Sequence, residues 1–187
     1  MSCPRLETVR LALVPLQPED ADALFEMWDS ESFSRAAGID RPADRAAVAA
    51  VAAFFVQLNA TGTYLKWSVR DRSSDEFLGE CELYPLKPQV HPWIEWGIGY
   101  SLKESAWGRG YMTEALRRVL DHLFDAATPA WRVKADVDPA NGRSRALLER
   151  LGFRLEGTQS AKCMIQGRAC EMLLMAQTRD GHRAVAG

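Results

Sequence analysis

Two glycines, Gly108 and Gly110, stand directly before an amphipathic helical pattern that runs to Phe124. The start of a helix offers backbone N–H groups and the positive end of the helix dipole. Glycines leave the approach to those groups free of side chains, so such a turn suits an anion and above all a phosphate. A tight strand-to-helix turn without a ligand would use the same residues, so both interpretations are open at this point.

Two further glycines, Gly97 and Gly99, interrupt the strand-like segment WGIGY. Glycine weakens a strand, and in such a place it often marks a bulge or a close approach by another group. A bulge would aim a backbone N–H at a reacting carbonyl and supply an oxyanion donor. A plain kink in a packed strand is the alternative.

Glu95 is the first candidate for a general base. It shares a strand face with Gly97 and Gly99, because side chains two residues apart point to the same side. A carboxylate within reach of an amine is able to take its proton during reaction. Glu82 on the adjacent strand is the second candidate. Either carboxylate is equally suited to a cross-strand ion pair with a lysine or arginine.

A polar pair, Asn141 and Ser144, precedes a second helical pattern. Both residue types are common at helix starts, where their side chains cap backbone N–H groups. A hydroxyl in this position is also able to donate to a departing anion. Capping is the alternative function of Ser144.

The histidines and cysteines are scattered in spacings that indicate neither a metal site nor a disulfide framework. We therefore predict no metal, and we expect the cysteines to act as small apolar side chains. These residues are His91, His122, His182, Cys3, Cys81, Cys163 and Cys170.

The elements that position these groups follow from hydrophobic periodicity. Strands are predicted at 8–16, 64–71, 76–85, 93–102, 131–138 and 169–176, and helices at 18–30, 42–60, 110–127 and 144–153. Pro18 opens the first helix, Pro42 is placed in the first turn of the second, and Gly152 ends the last. The order predicts an α/β fold with a mixed, mostly antiparallel sheet and helices on both faces. We expect one domain over residues 1–187, with a core of about 6–176 and a loose tail at 177–187.

Length and charge exclude several classes of protein. The chain has 187 residues, a net charge of −2 and no block of like charge, so it lacks the basic surface expected for nucleic acid or anionic lipid. It also lacks an apolar run long enough for a membrane span, and residues 1–10 do not resemble a signal peptide. We therefore expect a cytoplasmic protein with no membrane partner, and leave a homodimer open.

The sequence resembles the GNAT superfamily of acyl-CoA-dependent N-acetyltransferases, specifically its RimJ/RimL-type branch. The motif of a nucleotide hydrolase is missing, and neither glycine pair has the third glycine of the dinucleotide fingerprint. Two linked segments, 93–124 and 132–158, carry the resemblance. It extends from about residue 6 to residue 176.

The resemblance implies acetyl-CoA as the second substrate. Its pyrophosphate would lie on the backbone amides of the glycine turn, whose residues are Trp107, Gly108, Arg109, Gly110, Tyr111, Met112 and Thr113. Met112 departs from the family pattern, in which this position is usually small. Tyr100, Ser101 and Leu102 would pair with the pantetheine arm as an added strand does.

Other positions of the family pattern match this sequence less completely. The asparagine and serine of the N-x-x-S pattern imply that Asn141 contacts the cofactor and that Ser144 serves the coenzyme A sulfur. Gly97 stands where many relatives have a glutamate, and Cys163 stands where some close relatives have another. The departure at Cys163 weakens the transfer of a ribosomal-protein specificity, and the two departures together favour a catalytically silent acyl-CoA-binding module.

The predicted reaction is direct attack by a primary amine on the thioester, with no covalent enzyme intermediate. A protein N-terminal α-amine is the favoured acceptor, because deprotonation at pH 7 costs about 1 kcal/mol against about 4.6 kcal/mol for a lysine. Two alternatives are open: acetylation of a small amine such as an antibiotic or polyamine, and a catalytically silent module that only binds or senses acyl-CoA.

Overall fold

An eight-stranded sheet organises the chain. The computed structural model describes residues 3–37, 40–86, 94–125, 129–165 and 168–186. The strands are β1 (Leu6–Glu7), β2 (Leu11–Pro15), β3 (Leu65–Asp71), β4 (Phe77–Pro85), β5 (Glu95–Leu102), β6 (Arg132–Val137), β7 (Arg154–Ile165) and β8 (Arg168–Thr178). Their order in the sheet is β1-β2-β3-β4-β5-β6-β8-β7. Among these described strands β5 and β6 form the one parallel pair, which confirms the predicted mixed, mostly antiparallel sheet.

Six α-helices accompany the sheet in the described part of the chain. They are α1 (Ala21–Trp28), α2 (Glu31–Ala37), α3 (Arg45–Thr61), α4 (Tyr111–Leu123), α5 (Gly142–Arg150) and α6 (Arg179–Ala186). Pro42 lies before α3 and not in its first turn, because Asp44 caps that helix by accepting the N–H of Ala47 at 2.7 Å. None of the described helices combines the length and apolar character that a membrane crossing requires.

The helices cover both faces of the sheet, because strand side chains alternate between them. Trp67 of β3 lies in the main core, which also contains Leu116 of α4 and Leu148 of α5. On the other face the side chain of Asn59 in α3 binds the backbone of Lys66. A smaller apolar cluster joins α1, α2, α3 and the start of β4 there.

The amphipathic pattern along α4 predicts an apolar stripe of Leu116, Val119, Leu120, Leu123, Phe124 and Ala127. The first five are buried, as are Met112 and Ala115, so the stripe is confirmed over the described residues. The helix ends at Leu123, four residues before the predicted end, and Ala127 lies outside the described residues.

The sheet opens between β5 and β6. Their parallel register covers only Glu95–Gly97, which face Arg132, Val133 and Lys134. Beyond Gly97, β5 continues to Leu102 with β4 on its other edge. The gap between the two diverging strands lies beside the N-terminal ends of α4 and α5, and this is where the functional side chains collect.

The expected loose tail at 177–187 is wrong. Gln177 and Arg179 are buried, and α6 packs on α4 through His182, which lies 2.8 Å from Asp121 Oδ1. Strand β7 and helix α2 were also missed. The sequences of β7 and α6 are too polar to show an apolar face, and contacts made after folding decide their structure.

Candidate active site

A cleft of about 1450 Å³ lies beside the end of β5, where the sheet opens. Three parts of the chain form its centre: the end of β5, the turn before α4 and the start of α5. Eleven of the residues predicted to bind the cofactor or assist the thiolate line it: Tyr100, Ser101, Leu102, Trp107, Gly108, Gly110, Tyr111, Met112, Thr113, Asn141 and Ser144. Arg109 is in the same turn, but its side chain is not part of the lining.

The glycine turn, residues 107–113, is shaped for a ligand that approaches the backbone. Gly108 and Gly110 have φ values of +74° and +76°, which L side chains rarely adopt. A Cβ on Gly108 would meet nothing within 4 Å, so the space beside it is open. Gly110 is the N-cap residue of α4 and offers no side chain to cap its N–H groups. The turn therefore presents the positive end of α4 to the cleft and fits a phosphate group.

Arg10 holds this turn from the N-terminal strands. Its Nε donates to Glu114 Oε2 at 2.7 Å, and its Nη1 donates to the carbonyl of Arg109 at 3.0 Å. The guanidinium also lies 4.6 Å from the centre of the Tyr111 ring. Thr8 Oγ1 donates to Glu114 Oε1 at 2.5 Å. The turn and the first two strands are thereby joined.

Glu114 remains ionised at the centre of this junction. Burial raises its pKa, but hydrogen bonds from Thr8 and Arg10 and the charge of Arg10 outweigh burial and lower the pKa below its ordinary value. No local pattern indicates this contact, because Arg10 and Glu114 lie 104 residues apart. Arg10 is thus a functional candidate that local pattern analysis missed.

Asn141, Ser144 and Tyr100 form one hydrogen-bonded group on the cleft wall. Asn141 caps α5 by accepting the backbone N–H of Ser144 at 3.0 Å. Ser144 Oγ lies 2.7 Å from the Tyr100 hydroxyl. Burial raises the pKa of Tyr100 to about 12, with a smaller opposite effect of the Ser144 hydrogen bond. The cap is therefore Asn141, and the two hydroxyls are protonated groups able to donate to an anion in the cleft.

A second cavity, the inner pocket, lies on the far side of β5. It has a volume of about 330 Å³. Its lining consists of aromatic and charged side chains with a short stretch of β5: Trp28, Phe33, Phe55, Lys66, Glu80, Cys81, Glu82, Gly99, Tyr100 and Ser101. Phe33, Tyr100 and Ser101 also line the cleft. The two cavities therefore meet at Tyr100–Ser101.

Lys66 joins two glutamates inside the inner pocket. Its Nζ lies 2.7 Å from Glu80 Oε2 and 2.6 Å from Glu82 Oε2. Burial lowers the pKa of Lys66, but the two carboxylates overcome burial and raise it, so Lys66 is charged at neutral pH. Trp28 Nε1 and Ser101 Oγ each donate to Glu80 Oε1 at 3.0 Å. Glu80 is thus fixed from three sides.

The glycines of β5 make room for side chains of β4. A Cβ on Gly99 would stand 2.6 Å from Glu82 Oε1, and one on Gly97 would stand 2.4 Å from the Tyr84 ring. Between β4 and β5 the register is regular over both glycines. Close approach, one of the two explanations above, is therefore confirmed, and the bulge is wrong. Glu82 Oε1 lies directly over the strand that separates the two cavities.

Glu95 lies apart from both cavities. Its Oε1 accepts from Arg132 Nε at 3.0 Å, and Arg132 also binds Glu156. This is the cross-strand ion pair that was the alternative for Glu95. Its role as a base stays a prediction.

The remaining candidates supply no further chemistry. The described residues contain no cluster of three or more His, Cys, Asp or Glu side chains arranged for a metal. Cys81 is fully buried, and burial raises the pKa of its thiol. Cys163 lies in β7 opposite Cys170, and His91 lies outside the described residues.

Lys66 and Glu80 are the other residues that sequence reasoning missed. The sequence contains a weak signal for them, because polar residues alternate with apolar ones in two strands whose faces are both covered by helices. These polar residues are Lys66, Ser68, Glu80 and Glu82. Polar side chains at such positions need partners, so they were candidates for one buried cluster.

Comparison with known proteins places the chain in a family. The model of the acetyltransferase (GNAT) domain matches residues 10–154. The uncharacterized N-acetyltransferase p20 of Bacillus licheniformis is 28% identical over 171 residues, 91% of this chain and 94% of that protein. The [ribosomal protein uS5]-alanine N-acetyltransferase of Escherichia coli is 35% identical over 81 residues, 43% of this chain and 41% of that protein. The solved structure of Mycobacterium smegmatis RimJ in complex with CoA-disulfide has a TM-score of 0.82 at 25% identity, and the match covers 100% of this chain and 97% of that one. The predicted resemblance is confirmed, and the chain belongs to the acetyltransferase (GNAT) domain family.

Proposed function

We propose that this acetyltransferase moves the acetyl group of acetyl-CoA to the α-amine of a protein N-terminus. One observation carries the proposal: the cleft and the inner pocket meet at Tyr100–Ser101, with hydroxyl donors on one side and carboxylates on the other. Two substrates that enter from opposite sides of β5 would therefore meet at this strand. The name of one similar protein, the [ribosomal protein uS5]-alanine N-acetyltransferase, supports a protein acceptor.

The cleft is assigned to acetyl-CoA. The glycine turn, with Trp107, Gly108, Arg109, Gly110, Tyr111, Met112 and Thr113, would hold the pyrophosphate on its backbone amides. Met112 does not obstruct this position, because its side chain is buried in the main core. Tyr100, Ser101 and Leu102 would lie along the pantetheine arm, and Asn141 would contact the cofactor at the start of α5. The CoA-disulfide bound to RimJ supports this assignment.

Glu82 is the favoured base in this arrangement. Lys66 holds Glu82 Oε2, and Glu82 Oε1 lies over Gly99 beside the junction of the cavities. Glu95 lines neither cavity and is paired with Arg132. The base role therefore fits Glu82 better than Glu95, although the sequence favoured Glu95.

The reaction follows from these positions. The acceptor enters as an ammonium and gives a proton to Glu82, and the freed lone pair attacks the thioester carbonyl carbon. The nitrogen loses its second proton as the amide forms and the carbon–sulfur bond breaks, and this proton neutralises the coenzyme A thiolate. The Ser144 hydroxyl donates a hydrogen bond to the departing sulfur, and Glu82 returns the first proton to solvent. Tyr100, hydrogen-bonded to Ser144 at 2.7 Å, orients that hydroxyl. Direct transfer needs no covalent enzyme intermediate.

The size of the inner pocket supports a short acceptor segment. A volume of about 330 Å³ accommodates one amino-acid residue and not a folded element. Its aromatic wall suits the apolar part of such a residue, and its carboxylates suit the ammonium group. An exposed N-terminus presents this combination.

The test is acetyl-CoA consumption with a panel of acceptors, followed by mass spectrometry of the products. The panel contains N-terminal peptides, peptides whose only free amine is a lysine, and small amines including polyamines. We expect N-terminal peptides to be turned over with the highest kcat/KM and to be modified on the α-amine. A preference for a small amine would overturn the acceptor assignment, and coenzyme A binding without turnover of any amine would indicate the silent module.

A further inference from the structure

The inner pocket contains a cation of its own, and this bears on which acceptor it takes. Lys66 lies on β3 directly opposite Glu82 in the register of β3 and β4. Asn59 binds both its backbone N–H and its carbonyl, at 2.8 and 2.9 Å. The side chain is 4% exposed, and Nζ lies 4.6 Å from the centre of the Phe55 ring. The ammonium is therefore fixed inside the pocket.

The charges in the pocket leave room for one more cation. Two carboxylates and the Lys66 ammonium give a net charge of −1. The other titratable groups nearby do not change this sum: burial raises the pKa of Tyr64, Tyr84 and the Cys81 thiol, so all three are neutral at pH 7. One incoming ammonium would neutralise the pocket.

The carboxylates differ in what they still offer. Glu80 is 8% exposed, receives Trp28 and Ser101 on Oε1, and is paired through Oε2 with the Lys66 ammonium at 2.7 Å. Glu82 is 21% exposed, is hydrogen-bonded to the Tyr64 hydroxyl, and has Oε1 over Gly99. Glu82 is thus the more accessible carboxylate for an incoming ammonium, and Lys66 occupies the place where a second cation would pair with Glu80.

We propose that Lys66 makes the inner pocket selective for an acceptor whose only nearby charge is its reacting ammonium, and against an acceptor with a second cation beside it. The inference rests on the proposed function in one respect, that the inner pocket receives the amine. A second cation would meet carboxylates that are already paired and a buried ammonium that repels it. The substrate class is therefore a primary amine on an uncharged residue, and polyamines are excluded.

The test uses two tripeptides that differ in one charge. Citrulline-Ala-Ala and Arg-Ala-Ala have side chains of nearly the same shape, and each has a single acetylatable amine. We expect the wild-type enzyme to prefer the citrulline peptide by about tenfold or more in kcat/KM. Lys66→Met should lower this ratio about tenfold, because Glu80 then becomes available to the arginine side chain.

A second variant changes the ratio in the other direction. Glu80→Gln keeps Lys66 and removes one carboxylate, so we expect it to raise the preference for the citrulline peptide. The double variant K66M/E80Q restores a net charge of −1 and should return the ratio toward the wild-type value. Glu80→Gln and the double variant keep the proposal testable if Lys66→Met alone does not fold. Lys103→Met is the matched control, because Lys103 Nζ lies 5.5 Å from the Phe77 ring and lines neither cavity.

The outcomes separate this inference from the proposed function. The role of Lys66 is overturned if the wild type has the same kcat/KM for both peptides, or if the ratio of the two values is the same in all variants. Neither result contradicts N-terminal acetylation. If the wild type uses neither peptide but acetylates small amines, the acceptor assignment fails. The charge rule is then tested with pentylamine against cadaverine, which also differ by one ammonium. Failure to turn over any of the four acceptors contradicts both.

Discussion

The cleft and the inner pocket lie on opposite sides of β5 and are built from different parts of the chain. Backbone groups and two left-handed glycines form the cleft, and consecutive residues of one turn supply most of its centre. Buried side chains form the inner pocket, and they come from α1, α2, α3, β3, β4 and β5. The comparison suggests that a cofactor common to a family is held by backbone, whereas an acceptor that varies is selected by side chains.

The largest expected effect is on the inner pocket. Glu82→Gln should lower turnover by 10²–10⁴-fold at neutral pH, the range typical of a lost general base, with coenzyme A affinity nearly unchanged. The loss should shrink as pH rises, because more of the amine is then free without help. Steady-state kinetics at pH 7 and pH 9.5 with calorimetric coenzyme A binding measure this.

Glu95→Gln is the matched comparison for that variant. If Glu95→Gln shows the large, pH-dependent loss and Glu82→Gln does not, the base is Glu95 and the sequence interpretation stands. Equal losses at both pH values in Glu82→Gln would indicate a structural role in the Lys66 cluster.

The next largest effect tests whether the glycine turn binds the phosphate groups of coenzyme A through its backbone. Coenzyme A at 100 times its Kd should stabilise the wild type by about 2.7 kcal/mol, measured as a rise in Tm. Gly110→Val should abolish the rise, because a β-branched residue opposes a φ of +76°. Gly157→Val is the control, since a Cβ there meets nothing within 4 Å and Gly157 lines neither cavity. A full Tm shift in Gly110→Val would refute the glycine turn as the phosphate site.

A smaller effect concerns the hydrogen-bonded group on the cleft wall that consists of Asn141, Ser144 and Tyr100. Ser144→Ala should slow turnover at least about tenfold with the Tm preserved, because Asn141 and not the Ser144 hydroxyl caps α5. Asn141→Ala should instead lower the free energy of unfolding by about 1 kcal/mol.

Tyr100→Phe should slow turnover less than Ser144→Ala, since it removes only the hydrogen-bond partner of the Ser144 hydroxyl. An acetyl group trapped on Ser144 by mass spectrometry would contradict direct transfer.

The smallest effect concerns the junction that holds the glycine turn. Arg10→Ala should raise the Kd for acetyl-CoA roughly threefold to tenfold, the equivalent of one typical hydrogen bond, and change kcat little. Arg5→Ala is the control, because Arg5 forms an exposed ion pair with Glu7 at 3.1 Å. An unchanged Kd in Arg10→Ala would show that the turn keeps its shape alone.

The same junction predicts a dependence on pH. The pKa of Glu114 is lowered in the folded chain, so its contribution to stability is complete above the ordinary value of 4.5 and is lost as pH falls through the lower folded value. Glu114→Gln should remove this component from the acid unfolding profile. An identical profile would show that the junction does not stabilise the fold.

Local chain physics explains what the sequence determined. The apolar stripe of α4, the strands β3, β4 and β5, the glycine turn and the polar start of α5 all depend on residues within one turn or one strand. Backbone conformation and side-chain period act over such distances, so these elements and the residues at the centre of the cleft were predictable. The exceptions are β7 and α6: none of the described side chains of β7 is buried, and the side chains that α6 buries, Arg179 and His182, are polar.

Only the tertiary structure decided which side chains meet. Arg10 reaches Glu114 across 104 residues, and Lys66 reaches Glu80 and Glu82 from another strand. The parallel register of β5 and β6 puts Glu95 beside Arg132 and away from both cavities. A strand pattern fixes the face on which a carboxylate lies but not its partner, because strand order and register depend on how the whole core packs.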